Sequence, residues 1–512
     1  MDTKQAVKGD PAAQRDHPVR RGLLAGAVGG IVAVALMYVL AGLVGLRPLP
    51  QLLQQPILDV MPGAVFGFLI DTLQHAGKVV EEAGLIVGMV AGLSILGGVY
   101  GWLRRRHQVA HLAMAVGGLG WLVVNLVLLP ISGDGFGGSV EGPVAWLLWG
   151  LLLLVYSVVL ESGYQGWFAP LPPEADAGRR RALWTVPLTV AGGSLAVLGI
   201  ELVPGWYRSI FAAPGSDLAG PSPELTPVAE FYVVSKNFTD PVVDAASWSL
   251  NIHGLVDQPQ RFNLAALQAL RPTTEYVTLE CISNNVGGPQ ISTGQFSGPS
   301  LRDVLQLASV KSSATLVAFT SRDGYTESLP LALVQSSPEI LLALSLDGAP
   351  LPDQHGFPAR ILVPGHYGMK GPKWVQDIEL ATGSRSGYWE NQGWNPDASV
   401  KTTARFDQPP QGSLFRAGPV ALSGIAFAGK RGISGVEYSA DGGRRWSPAD
   451  LKTPLGPLTW VTWTATWTAA PGAFTLLVRA RDGGGVLQSG TPAPSYPSGA
   501  GGYHSVAVSI SA

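Results

Sequence analysis

Cysteine is almost missing from this chain: Cys281 is the only one in 512 residues. No intramolecular disulfide can form, so the usual staple of an exported fold is excluded. Charge is scarce as well. Lys, Arg, Asp and Glu supply 14% of the residues and the net charge is −2 at pH 7. No basic stripe of the kind that neutralises phosphates is present, which argues against a nucleic-acid partner. A lone cysteine is most simply a small buried hydrophobe, and only its neighbours can make it more.

Apolar residues are plentiful, 46% of the chain, and they crowd into the first 205 positions. At this length two or three units are expected, and the uneven composition divides them into a membrane part and a water-soluble part. Five stretches, 22–46, 83–103, 109–130, 143–162 and 184–203, reach the roughly 20 apolar residues that cross about 30 Å of hydrocarbon. The segment around 57–73 carries Asp59, Asp71 and Pro62 and follows Pro56, and it reads as an interfacial or re-entrant helix; if it crosses, the topology inverts. Arginines mark one side: Arg15, Arg20 and Arg21; Arg104, Arg105 and Arg106; Arg179, Arg180 and Arg181. With five spans, all three groups face the cytoplasm, as the positive-inside rule requires. The expected layout is a cytoplasmic segment 1–21, a transmembrane domain 22–204 in the lipid bilayer of the cell membrane, and everything after about 205 outside.

Polar residues within spans are functional suspects. Asn125, Glu161, Glu201, His107 and His111 lie within spans or near their ends. A haem wants histidine pairs on facing helices; His107 and His111, four apart at one helix start, are a poor substitute, so no haem is expected. Just before the last span, Arg180-Arg181-Ala182-Leu183-Trp184 reads either as a twin-arginine export signal or as charge that sets topology alone.

Residues 205–226 are rich in Pro, Ala, Gly and Ser, a linker composition. Residues 227–407 mix short β-branched runs with helix-like stretches such as 300–308, which suggests an α+β domain. Residues 408–512 give short alternating runs, 433–439, 460–467, 473–480 and 505–510, parted by turns at 441–443 and 482–485. That rhythm is expected of a β-sandwich.

The run Thr278-Leu279-Glu280-Cys281-Ile282-Ser283-Asn284-Asn285 resembles the molybdenum-ligand motif of the sulfite oxidase family. Four further stretches resemble that family in its order. They are Phe231-Tyr232-Val233-Val234-Ser235-Lys236-Asn237, the segment 248–256, Gly298-Pro299-Ser300-Leu301-Arg302-Asp303, and His355-Gly356-Phe357-Pro358-Ala359-Arg360 continuing to Lys373-Trp374. The resemblance reaches the C-terminus through 435–446, similar to the family's immunoglobulin-like domain, and covers about 227–512. It implies a molybdenum-molybdopterin oxidoreductase with Cys281 as metal ligand, and a soft thiolate suits that metal. It also implies cofactor contacts from His355 and Arg360, five apart, from Lys373, and from Tyr232, Val233 and Thr320. Arginine suits a phosphate because its planar fork binds bidentately. A small-molecule substrate, an unidentified electron-transfer partner and a homodimer formed through the C-terminal domain complete the implied picture.

Two departures bear on the substrate. Sulfite oxidases place an arginine five positions after the ligand cysteine, where this chain has Val286; they place a tyrosine five after a tryptophan, where counting from Trp389 reaches Trp394. Losing a cation from a dianion pocket removes charge-assisted hydrogen bonds. A pocket lined by Val286 and Trp394 is expected to favour a neutral molecule such as a sulfoxide. Sulfite oxidase or dehydrogenase activity is the alternative, and a metal-free membrane-tethered scaffold is the second.

Overall fold

Within lipid a chain can satisfy its own backbone polar groups by forming helices, and the first part of this chain is mostly helical where the computed structural model describes it. The described residues are 17–44, 46–61, 65, 76–106, 111–132, 136, 143–168, 177–211, 220–237 and 240–512. They form two units, an N-terminal helical one and one running from Phe211 onward. Among the described residues, five helices are long and apolar enough to cross a membrane: Pro18–Val44, Val79–Arg106, Leu112–Ile131, Val144–Trp167 and Thr185–Val203.

Glycine spacing brings the first two long helices together. Gly22, Gly26 and Gly30 line one face of Pro18–Val44, and Gly97 and Gly101 line a face of Ala76–Arg106. A Cβ on Gly22 would overlap the Gly97 carbonyl, and one on Gly26 would lie 2.7 Å from the Leu93 oxygen. Small residues four apart let backbones touch in this way. Tyr38 donates to Glu82 at 2.9 Å and Tyr100 to Glu161 at 2.5 Å, so each of these two carboxylates is held by a tyrosine of another helix. Glu82 falls one residue before the expected span 83–103; the helix begins earlier and buries it.

Three further differences from expectation emerge. The helix Leu49–Val60 is continuous through Pro56, and at 12 residues it is too short to span; most of 62–75 and His107 lie outside the described residues. The last long helix runs on to Phe211, seven residues into the expected linker, because extending a formed helix costs far less than starting one. The strand Thr403–Gln408 pairs antiparallel with Gly418–Phe427, so the boundary expected at 407/408 falls inside the first strand of the C-terminal sheets.

In the second unit, a five-stranded mixed sheet runs in the order Gln260–Phe262, Leu250–Gly254, Val375–Ala381, Leu316–Ser321, Thr326–Pro330. The helices Leu301–Gln306 and Leu331–Ser336 contribute to its core, with Leu250, Ile252, Val317, Phe319, Trp374 and Ile378 fully buried. Beside it stands a hairpin of Thr273–Glu280 and Ile291–Gly298, in register from Thr273 opposite Gly298 to Glu280 opposite Ile291. C-terminal to these, a four-stranded and a five-stranded sheet share one core around Phe406, Trp463, Leu476, Val478 and Val508. The strands Ile433–Ser439, Val461–Ala469, Gly472–Asp482 and His504–Ser511 follow the alternating runs read from the sequence.

Candidate functional site

The hairpin strand Thr273–Glu280 ends one residue short of Cys281, and the chain turns there. The Cys281 amide donates to the Gln290 carbonyl at 3.0 Å, and the Cys281 carbonyl accepts from Asn284 at 3.0 Å. Its thiol lies 3.1 Å from Ser283 Oγ, which donates to Gln290 Oε1 at 3.1 Å. Burial pushes the Cys281 thiol up, partly offset by Ser283. A bound metal would overcome that shift, since a coordinated thiol is deprotonated outright.

The turn is held from outside. Arg405, in the first C-terminal strand, donates to the Gly288 carbonyl at 2.6 Å and to Ser222 Oγ at 3.0 Å, while its Nε pairs with Asp407 at 2.9 Å. The His504 ring fills the space a side chain on Gly287 would need, and Gly287 has φ +79°, so only glycine fits comfortably. Asn284 Nδ2 donates to Glu280 Oε1 at 3.0 Å and Asn284 Oδ1 accepts from the Gln290 amide at 3.0 Å. Burial raises the Glu280 carboxyl to about 7, with Asn284 and Arg405 pulling the other way.

Next to this turn lies a group of cationic and polar side chains. His355 closes the 3-10 turn Asp353–His355 and sets its ring edge-on to Phe231, centroids 5.2 Å apart. Arg360 begins the strand Arg360–Leu362 and donates through Nη1 to the His355 carbonyl at 3.3 Å. Lys373 donates to Ser235 Oγ at 2.5 Å and to the Gln354 carbonyl at 2.9 Å. Gly356, at φ +108°, lets the three approach: a Cβ there would stand 3.0 Å from Lys373 Cβ and 3.2 Å from Arg360 Cβ. Tyr232 feels both halves: burial, then the Cys281 and Glu280 charges, push its hydroxyl well up, while Arg360 pulls it down.

Two buried nitrogens in this group, His355 Nε2 and Arg360 Nε, have no hydrogen-bond partner. Each residue is deeply buried, His355 2% and Arg360 6% exposed. Leaving such a donor unsatisfied costs about 1–3 kcal/mol, more for a charged group. Burial first, then the Arg360 and Lys373 charges, lowers His355 to about 3, so the imidazole is neutral at physiological pH. Burial also lowers Arg360 to about 10, which still leaves it charged. A neutral imidazole, a buried guanidinium and a lysine beside a thiol fit a phosphate-bearing cofactor with polar ring edges and a thiolate-liganded metal.

The structure thus gathers Tyr232, Cys281, His355, Arg360 and Lys373. It does not draw in all the expected residues. Val233 simply follows Tyr232 in the chain, and Thr320 lies mid-strand opposite Asp377 and Thr326. Trp394 packs edge-on against Tyr496 at 5.3 Å. A cavity of about 500 Å³ includes Val286 in its wall, but Trp394 is not among its lining residues, so these two do not line one pocket there. Arg405, His504, Asn284 and Glu280 were not anticipated. Glu280 and Asn284 flank Cys281 in the recognised motif, whereas Arg405 and His504 reach the turn only through the folded sheets.

Residues 237–389 match the model of the oxidoreductase molybdopterin binding domain family. Mitochondrial sulfite oxidase of Mus musculus is 29% identical over 283 residues, covering 46% of this chain and 52% of the mouse protein. A protein of Azospira oryzae described as a protein-methionine-sulfoxide reductase subunit is 34% identical over 154 residues, covering 30% of this chain and 56% of its own. The solved sulfane dehydrogenase SoxCD of Paracoccus pantotrophus overlays with a TM-score of 0.48 at 22% identity, across 53% of this chain and 76% of that one. The chain spans about half the length of the mouse protein it matches. With the match lying across Cys281, His355, Arg360 and Lys373, residues 237–389 form a domain of the molybdopterin-binding oxidoreductase family, and the chain is similar to sulfite oxidases.

Proposed function

We propose that this chain is a membrane-anchored oxidoreductase that transfers an oxygen atom at a molybdenum centre on the outer face of the cell membrane, with a neutral oxide such as a sulfoxide as substrate. The observation that carries the reading is the pair of unpartnered buried nitrogens, His355 Nε2 and Arg360 Nε, in the same group as Cys281. A scaffold without cofactor would have no reason to leave them bare.

In this reading the Cys281 thiolate would hold molybdenum, and the bound group would supply a two-electron oxo-transfer couple. Arg360 and Lys373 neutralise the pterin phosphate, and the neutral His355 ring offers one hydrogen bond to it. Tyr232, on whose ionisation both Cys281 and Arg360 act, stays protonated. Arg405 and His504 position the Cys281 turn. Val286 leaves no cation where a dianion would need one, which favours the sulfoxide over sulfite. The relative described as a protein-methionine-sulfoxide reductase subunit supports that choice, while the mouse sulfite oxidase supports the alternative.

Five apolar helices and the arginine-rich segments support a cytoplasmic N-terminus with the cofactor domain on the outer face. The paired C-terminal sheets serve as an immunoglobulin-like module that can dimerise, and electrons come from a separate partner. Metal analysis tests the core of the proposal. The purified chain should carry about one molybdenum, and Cys281→Ser should lose all turnover while keeping its circular dichroism spectrum. An active wild-type protein free of molybdenum would end it.

A further inference from the structure

We propose that Glu327, Lys370 and Glu390 form a buried proton-controlled clamp: with a proton on Glu327 it holds the helix Tyr388–Asn391 against the loop 231–237, and without that proton helix and loop loosen. The inference rests on the cofactor reading above only in saying what that loop would hold.

Three elements meet at the clamp. Glu327 lies in the edge strand Thr326–Pro330, Lys370 closes the 3-10 turn Gly368–Lys370, and Glu390 lies in the helix Tyr388–Asn391. Lys370 Nζ donates to Glu327 Oε1 at 3.0 Å and also to Glu390 Oε1. The three side chains are shut off from solvent, 0% exposed for Glu327, 6% for Lys370 and 7% for Glu390. Two carboxylates thus share one ammonium where a surplus charge is costly. Glu327 Oε2 is buried with no hydrogen-bond partner, whereas Glu390 Oε2 accepts from the Gly387 amide at 2.9 Å. A proton on Glu327 removes the surplus and leaves Lys370 and Glu390 as a balanced pair.

Charged and titratable groups reach Glu327 from each element around it: Tyr325 on its own strand, Lys370 from the turn and Glu390 from the helix. Burial first, with Glu390 beside it, raises the Glu327 carboxyl to about 7 against the pull of Lys370 and the Ser328 amide. When Glu327 ionises, the helix is the element that can yield. Glu327 is fixed by its strand and by the Ser328 amide at 2.8 Å, while Glu390 rides on four helical residues and its withdrawal takes the Gly387 cap with it. That helix begins with Tyr388, whose ring lies 5.2 Å from Lys236 Nζ and 5.6 Å from the Tyr325 ring. The turn meets the same loop elsewhere: a Cβ on Gly368 would lie 2.8 Å from the Tyr232 hydroxyl. Once the helix withdraws, water reaches Glu327 and its carboxyl falls back toward 4.5, the ordinary value. The clamp is therefore fully closed below about 4.5, loosens as pH rises to about 7, and changes no further above that.

The test reads amide hydrogen exchange by mass spectrometry on the full chain in detergent from pH 5 to 8, each rate corrected for the intrinsic rate at that pH. Molybdenum per chain is measured on the same samples. Wild-type protection of 231–237 and 388–392 should fall about tenfold or more between pH 5 and 7 and then stay level, while the strand Leu316–Ser321 keeps its own. Glu327→Gln, which cannot ionise, should hold near the pH 5 value throughout. Glu390→Gln also leaves one carboxylate for one ammonium and should flatten the profile likewise, which keeps the test intact if Glu327→Gln does not fold. A wild type without pH dependence, or variants that follow the wild-type fall, would overturn the clamp. Loosening of 388–392 while 231–237 stays protected would overturn its hold on the loop. A wild type that loosens as expected yet carries no molybdenum would support the clamp and overturn the cofactor reading.

Discussion

Around the Cys281 turn the same two residue types occur twice in opposite states. On one side stand His355 and Arg360, each with a buried nitrogen that bonds to nothing. On the other stand His504 and Arg431, with the His504 Nδ1 accepting from the Phe406 amide at 3.0 Å and the Arg431 guanidinium divided among Asp482, Val400 and Thr402. Residue identity alone would assign both sides to anion binding. Pairing separates them: a cation with unsatisfied donors is preorganised for a charged ligand, whereas a cation already neutralised in place is part of the wall.

The largest expected effect follows from removing an unpaired group. Arg360→Ala should cost about 2–5 kcal/mol of cofactor affinity, the range for truncating one partner of a buried charge pair. The purified variant would then contain little pterin or phosphate by mass spectrometry of the released cofactor. Pterin retained at the wild-type level would show that the bare Arg360 nitrogen faces no ligand, and the contrast between the two sides would lose its meaning. Arg431→Ala, in comparison, should leave pterin content unchanged.

The next effect is a gain. Val286→Arg would put an uncompensated cation on the cavity side and give it the character of the cofactor side. A charge-assisted hydrogen bond contributes about 1.5–3 kcal/mol, so sulfite KM should fall by roughly ten- to a hundredfold. Steady-state sulfite oxidation with an artificial acceptor reads this out. Sulfite kinetics identical to wild type would mean that position 286 does not meet the substrate. Trp394→Tyr, offered by the sequence as the partner change, should add nothing, because Trp394 packs on Tyr496 and does not line the cavity.

The grouping of His355, Arg360 and Cys281 was largely readable from the chain because these residues fall in short motifs on adjoining elements. His355 and Arg360 are five apart across one turn, and Cys281 follows directly on its strand. Similarly, the five long helices were readable from hydropathy, and the C-terminal strands from alternation. The cavity side was not readable. Val286 shares a cavity with residues from 395–403, 431 and 482–502, more than a hundred positions away, and no local pattern predicts which distant loops converge on a turn. Charge pairing was hidden for the same reason: Arg405 reaches Gly288 and Ser222, 117 and 183 residues away. The counting rule that placed Trp394 in the pocket assumed a loop geometry that the contact with Tyr496 replaces.

The smallest effect tests how the paired side holds the cysteine turn. Burial, then the Arg405 charge, lowers His504 to about 4, against 6.5 for an unperturbed ring. Above pH 6.5 the ring is neutral in both folded and unfolded chains, and it adds no pH dependence. Between 6.5 and about 4 the unfolded chain takes up a proton that the folded one refuses, so stability declines as pH falls, by at most about 1.4 kcal/mol per pH unit. Below about 4 both states are protonated and this slope ends. Glu280 acts in the opposite sense: held at about 7 against 4.5, it weakens the fold as pH rises through that interval. The two are separated by comparing variants. His504→Asn keeps an acceptor for the Phe406 amide but cannot titrate, so denaturant unfolding followed by tryptophan fluorescence at pH 7, 5.5 and 4.5 should show a shallower acid loss than wild type by up to that slope. Coincident acid limbs would mean that His504 is solvated in the folded chain and does not brace Gly287. The paired side would then owe its hold on the cysteine turn to Arg405 alone.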